Sequence, residues 1–156
     1  MDLYNKQFEL RQETPAYWHN KSHDLLVSAR TLWIAMQKDK KLEINCWSTY
    51  KMLMGMSFEL LFKAHCIGSG TEFSSTHDLV ALANTANLSR SKEENRVLKV
   101  LSEYVIWDGR YPTPKKPAHL KGHWKSQDGL LDDKLDLEAL MPFWRRFSDS
   151  FMAQYN

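Results

Sequence analysis

Glycine, proline and cysteine are scarce in this 156-residue chain, which holds six, five and two of them. With so few residues that loosen or break regular structure, widespread disorder is not expected. Cys46 and Cys66 fall toward opposite ends of one predicted helix, where about 1.5 Å of rise per residue separates them by roughly 30 Å. A disulfide needs Cα atoms within about 7 Å. The two cannot pair with each other, and both are expected to be buried free thiols. No stretch reaches the roughly 20 apolar residues of a membrane span, because Glu59 and Lys63 interrupt the best candidate, 50–67. The start, "MDLYNKQFELRQETP", lacks a basic segment followed by an apolar run, so no export signal is expected. A cytoplasmic chain without a membrane contact is the expectation.

What is present is apolar content of 43% and charge of 26%, a globular balance. The length suits one domain over residues 1–156, with a core in about 15–150. Net charge is only +2, yet it is unevenly spread. Residues 109–127 carry Arg110, Lys115, Lys116, Lys121 and Lys125 without one acid, while the rest of the chain is acidic on balance. An anionic partner would meet the protein at that segment.

Helical periodicity recurs along the chain. Residues 15–37 place Trp18, Leu25, Leu26, Ala29, Leu32, Trp33 and Met36 at spacings of three and four, behind a proline suited to a first helical position. After the charged "KDKKLEIN", the stretch from Cys46 to "GSG" is apolar on nearly every side, which predicts the central helix. Met52, Met54 and Met56 cannot all face one way and read as core and interface filler. Hydroxyl caps precede Leu79, Val80, Leu82 and Ala83, a helix of about three turns. Ser91 and Glu94 form a capping box ahead of Val97, Leu98, Leu101, Tyr104 and Val105, with the helix stopping near Trp107. A last helix carries Leu137, Leu140, Phe143, Trp144, Phe147 and Phe151, and tolerates Pro142 in its first turn. The prediction is an all-α, antiparallel bundle of about five helices with no sheet.

In that order and at those separations, "YKMLMGMSFELLFKAHCIGSG", "THDLVAL" and "LSEYVIWDGRYPTP" resemble the HEPN family of small helical-bundle domains. The resemblance covers roughly residues 15–150 and is strongest at "FELLFKA", at His77–Leu79 and at Arg110–Pro112. It implies a bundle that dimerises, that partners nucleotidyltransferases, and that in toxins and phage defence acts as a metal-independent ribonuclease. Active members carry an Arg followed, after four to six residues, by a His. Here Arg110 and His119 have eight residues between them.

Metal-independent RNA cleavage requires a base, an acid and fixed positive charge around the phosphorane-like transition state. Arg110 and His119 are the candidate catalytic pair, with His123 as the alternative imidazole. Pro112, Pro114 and Pro117 argue against a continuous helix joining them. Binding alone demands less: Arg110, Lys115, Lys116, Lys121 and Lys125 meet phosphate, while Tyr111 and Trp124 offer faces for stacking. The competing reading packs Trp107 and Tyr111 on the core, solvates the lysines, and uses Arg110 to cap the preceding helix or to pair with Asp108. Function therefore divides between RNA or nucleotide binding, with or without cleavage, and a non-catalytic module for dimerisation or a nucleotidyltransferase partner.

The remaining candidates are supporting residues. Glu59 and Lys63 read either as an ordinary surface pair or as a partly buried pair at a cleft or dimer seam. His77 and Asp78 stand at a helix start, and His65 reads as a satisfied core or interface histidine. His19 with His23, and His119 with His123, repeat His-x-x-x-His, but only the first pair is placed on a helix. Neither has the adjacent Glu of a metalloprotease. No metal or cofactor is assigned.

Overall fold

The computed structural model describes residues 1–127 and 132–155. Among them are seven α-helices and no strand, so the protein is all-α. They are α1 (Leu3–Glu13), α2 (Pro15–Lys38), α3 (Lys41–Gly68), α4 (Leu79–Thr85), α5 (Lys92–Glu103), α6 (Pro117–Gln127) and α7 (Leu137–Tyr155). A π-helical turn, Tyr104–Asp108, continues α5, and a 3-10 turn, Asp132–Leu135, precedes α7.

The central helix is α3, as its all-round apolar sequence requires. Tyr50, Met54, Phe58, Leu61 and Phe62 are fully buried within it. It pairs antiparallel with α2 across a tight break at Asp39–Lys40, so residues 41–45 extend the helix where charge suggested a linker. The α2–α3 seam is fixed by reciprocal bonds: Ser22 Oγ donates to Ser57 O at 2.6 Å and Ser57 Oγ to Ser22 O at 2.8 Å. Each buried hydroxyl is thereby satisfied, and one register is specified. Cys46 and Cys66 both lie on α3 as free thiols, but only Cys66 is buried.

Several expectations needed adjustment. α1 was not anticipated, because none of its residues is buried and its pattern therefore has no apolar stripe to detect. α4 spans seven residues, nearer two turns than three. Pro142 lies inside α7, beyond the first turn, where it forgoes a bond to the carbonyl of Glu138; residue 138 is exposed. The capping box at Ser91 and Glu94 forms as read, with Glu94 N to Ser91 Oγ at 3.1 Å and Ser91 N to Glu94 Oε1 at 2.8 Å. Arg146 of α7 then bonds Glu94 Oε2 at 2.7 Å, tying the end of the bundle to the start of α5.

Two glycines let the site-bearing segment approach α3. A Cβ at Gly55 would stand 2.6 Å from Val105 Cγ2, and one at Gly109 would stand 2.4 Å from Met52 Cβ. No real Cβ tolerates such distances. The π turn therefore seats directly on α3, and it sets where α6 begins. Among the described residues no helix is long and apolar enough to cross a membrane.

Candidate functional site

The basic segment divides into a turn and a helix. Residues 111–116, which hold Pro112 and Pro114, are irregular, but Pro117–Gln127 form α6. His119 and His123 thus share a helix, contrary to their placement in a loop. Pro117 occupies the first position of that helix, where its missing N–H costs nothing.

His123 is the one buried residue of α6. Its Nε2 lies 2.8 Å from Asp108 Oδ2, and the Gln127 amide lies 3.0 Å from the same nitrogen. The carboxylate can only accept, so the Nε2–H donates to it. The Nδ1 of His123 is buried with no hydrogen-bond partner among the described residues. The ring stands edge-on to Tyr104 and Trp107, with centroids at 5.1 and 5.4 Å. A π turn adds one residue to the helical repeat, and here its two ends, Tyr104 and Asp108, both meet the same imidazole. Beneath them Lys51 of α3 is buried, with Nζ donating to Tyr104 Oη at 2.6 Å and standing 4.6 Å from the Trp47 ring centre.

Above this floor opens a groove of about 810 Å³, lined by Tyr104, Asp108, Lys121, His123, Trp124, Lys125 and Gln127. Lys121, Trp124 and Lys125 occupy its rim, and Trp124 is 66% exposed. An indole held this far from the core offers an open stacking face between two ammonium groups.

Among the described residues Arg110 has no carboxylate partner. Its Nη2 donates to Ile106 O at 2.8 Å, which caps the π turn, and its guanidinium lies 5.3 Å from the Tyr111 ring centre. Tyr111 is 55% exposed and does not pack in the core, whereas Trp107 does, donating from Nε1 to Glu103 Oε2 at 2.7 Å. Lys115 and Lys116 are exposed on the turn. His119 lines a different groove, with Arg96 and Lys99 of α5, and no hydrogen bond joins it to Arg110 among the described residues.

Glu59, Lys63 and His77 form a compact network of their own. Glu59 Oε1 receives Lys63 Nζ at 2.7 Å, and Oε2 lies 3.0 Å from His77 Nδ1. The Glu59 and Lys63 side chains are 8% and 12% exposed, so the pair is partly buried and not an ordinary surface pair. Asp78 caps α4, accepting from Ala81 N at 3.1 Å. None of the four lines either groove beside α6; the Glu59–His77 contact ties the 69–78 connection to α3.

His19 and His23 lie on α2, but no three His, Cys, Asp or Glu side chains converge on a metal position among the described residues. Instead His19 Nε2 bonds Ser148 Oγ at 2.8 Å and its ring stacks on Phe151. His65 donates to Phe147 O at 2.8 Å, the hydrogen-bonded core role read from its helix.

Sequence reasoning missed Asp108, Tyr104, Lys51 and Gln127. The spacing of fifteen residues between Asp108 and His123 spans an irregular turn, so no helical periodicity connects them. No family model, no curated protein and no solved structure matches the chain.

Proposed function

We propose that the protein binds RNA or nucleotide phosphate through α6 and the turn before it, as a helical domain of HEPN type. The observation that carries this reading is the single groove shared by Lys121, Trp124 and Lys125. Two cations flanking an exposed indole combine phosphate attraction with base stacking, which together give sequence-tolerant binding of single strands. Arg110 and Tyr111, with Lys115 and Lys116, extend the cationic rim along the turn. Among the described residues the Arg110 guanidinium spends one donor on Ile106 O, and a guanidinium has further N–H groups to offer an anion.

The test is a titration of a 12-nucleotide single-stranded RNA at two salt concentrations. Each phosphate contact contributes about 0.7 to the salt slope, so a Lys121→Gln/Lys125→Gln double variant should lower the slope by about 1.4. A flat response in the parent protein removes the reading. Cleavage is a separate question, read from RNA incubated in EDTA: a ribonuclease using Arg110 and His119 loses activity in both Arg110→Ala and His119→Ala.

A second reading, self-association, is favoured by α1. Leu3, Tyr4 and Phe8 are exposed, Tyr4 by 83%, and the helix buries nothing. A second copy of the chain covering α1 would bury those side chains. Deleting residues 1–13 should then convert a dimer to a monomer in sedimentation.

A further inference from the structure

Of the six histidines, His19, His65 and His123 each engage Nε2 inside the bundle, with Ser148 Oγ, Phe147 O and Asp108 Oδ2. His23 and His119 are exposed, and among the described residues neither meets a carboxylate. His77 alone joins an open ring to a buried acid. Its side chain is 52% exposed, yet its Nδ1 stands 3.1 and 3.0 Å from the two oxygens of Glu59, whose side chain is 8% exposed.

The acid belongs to the rigid centre of the fold. Glu59 lies on α3 beside the fully buried Phe58 and Leu61, so the core fixes its carboxylate and the irregular connection brings His77 to it. A carboxylate only accepts, so the Nδ1–H donates to it, and in the neutral ring the lone pair is on Nε2. Among the described residues no hydrogen bond engages that Nε2. A half-exposed imidazole backed by a carboxylate has the arrangement of a nucleophile. The carboxylate fixes the orientation of the ring and stabilises the positive charge that forms when the far nitrogen makes a bond. Lys63 Nζ meets the same carboxylate at 2.7 Å and places a cation where an anionic reactant would approach.

We propose that His77 is a phosphoryl-acceptor histidine, modified on Nε2 by a donor of the phosphoramidate class, with Glu59 as its positioning residue. The Nε2 lone pair attacks phosphorus and the Nε2–P bond forms. The P–N bond of the donor breaks, and its electron pair leaves with the nitrogen as a neutral amine. The Nδ1–H stays on the ring, which becomes cationic, and both Glu59 oxygens meet that charge. One P–N bond replaces another, so the exchange needs no further source of energy. A phosphoryl group suits the site because its transfer asks for positioning and charge stabilisation and for little other covalent chemistry. The proposal does not rest on the reading of α6, since neither His77 nor Glu59 lines a groove beside that helix.

The experiment treats the full chain with phosphoramidate itself, which releases ammonia, and maps the acid-labile phosphoryl groups over time by mass spectrometry. The protein carries its own controls, because His23 and His119 are exposed without a carboxylate. His77 should gain its phosphoryl group at least tenfold faster than either, and phosphorus NMR should show the Nε2 linkage. Equal rates at the three histidines, no reaction at His77, or a linkage to its Nδ1 would overturn the proposal. In Glu59→Gln the amide oxygen still accepts from Nδ1 while the charge is gone, and the amide can also donate to that nitrogen. That variant should slow His77 at least tenfold, leave His23 and His119 at their former rates, and relax the linkage from Nε2 alone to both nitrogens. A protein that merely uses Glu59 to hold a loop would not change its linkage. An unchanged rate and linkage in the folded variant overturn the part given to Glu59. If the variant unfolds, all three rates change together, and the comparison within the parent protein decides alone.

Discussion

His123 Nε2 and Asp108 Oδ2 are 2.8 Å apart, and this pair is the buried attachment of α6 to the rest of the bundle. Every other residue of that helix is exposed or half-buried, so His123, held against the π turn, is its buried contact, beside the packing of α6 on α5. The position of Lys121, Trp124 and Lys125 is therefore a consequence of that contact.

His123→Ala should release α6 without unfolding the core. Removing the ring leaves Asp108 without its donor and opens a void against Tyr104 and Trp107, a loss of about 2 to 4 kcal/mol by the usual cost of buried truncations and unmade bonds. Hydrogen exchange should show lost protection over residues 117–127 while α3 keeps its own. Equal loss in both would mean that α6 is part of the global folding unit.

Gly109→Ala should be destabilising although its backbone is in an ordinary region. The new Cβ would stand 2.4 Å from Met52 Cβ and 2.7 Å from Tyr104 O, so the π turn must lift from α3. Overpacking of this kind costs about 1 to 3 kcal/mol, measurable by urea denaturation. An unchanged midpoint would show that the turn and α3 are not in firm contact.

Acidification should weaken the fold in two separate windows. Burial lowers the pKa of His65 from its ordinary 6.5, against the opposing effect of its bond to Phe147. Burial also lowers His19, with repulsion from His23 and His65 adding to it. Both are neutral in the folded protein, so the stability they contribute is complete above 6.5. It is lost as pH falls below that value and the unfolded chain takes up protons first. For Glu94, burial alone would raise the carboxyl, but its bonds from Arg146 and Ser91 prevail and hold it below its ordinary 4.5. Its share is therefore lost only under more acidic conditions. Melting temperature should decline from pH 7 to 5, and a His19→Gln/His65→Gln variant should decline less. An identical decline in that variant would place the acid sensitivity elsewhere.

The sequence made the scaffold legible wherever burial left a periodic stripe. α2, α5 and α7 follow from apolar residues spaced by three and four, and the start of α5 follows from the local chemistry of Ser91 and Glu94. α1 left no such stripe because it faces solvent throughout. α6 was hidden for a different reason: three prolines and a run of lysines read as a connector, and a helix anchored by one histidine has no amphipathic pattern to find. The cationic content of the site was visible in composition alone. The floor beneath it was not, because Lys51, Tyr104, Asp108 and His123 come from three elements brought together by a π turn, whose extra residue leaves no mark on periodicity.

The central claim is that α6 is where a nucleic acid lies. Photocrosslinking of an oligouridine containing 5-bromouridine, followed by peptide mapping, tests it most directly. The account predicts a principal crosslink on Trp124, with any secondary ones at Tyr111 or elsewhere on α6, all suppressed by Lys121→Gln/Lys125→Gln. Crosslinks confined to other surfaces, or none under low-salt conditions, would contradict it.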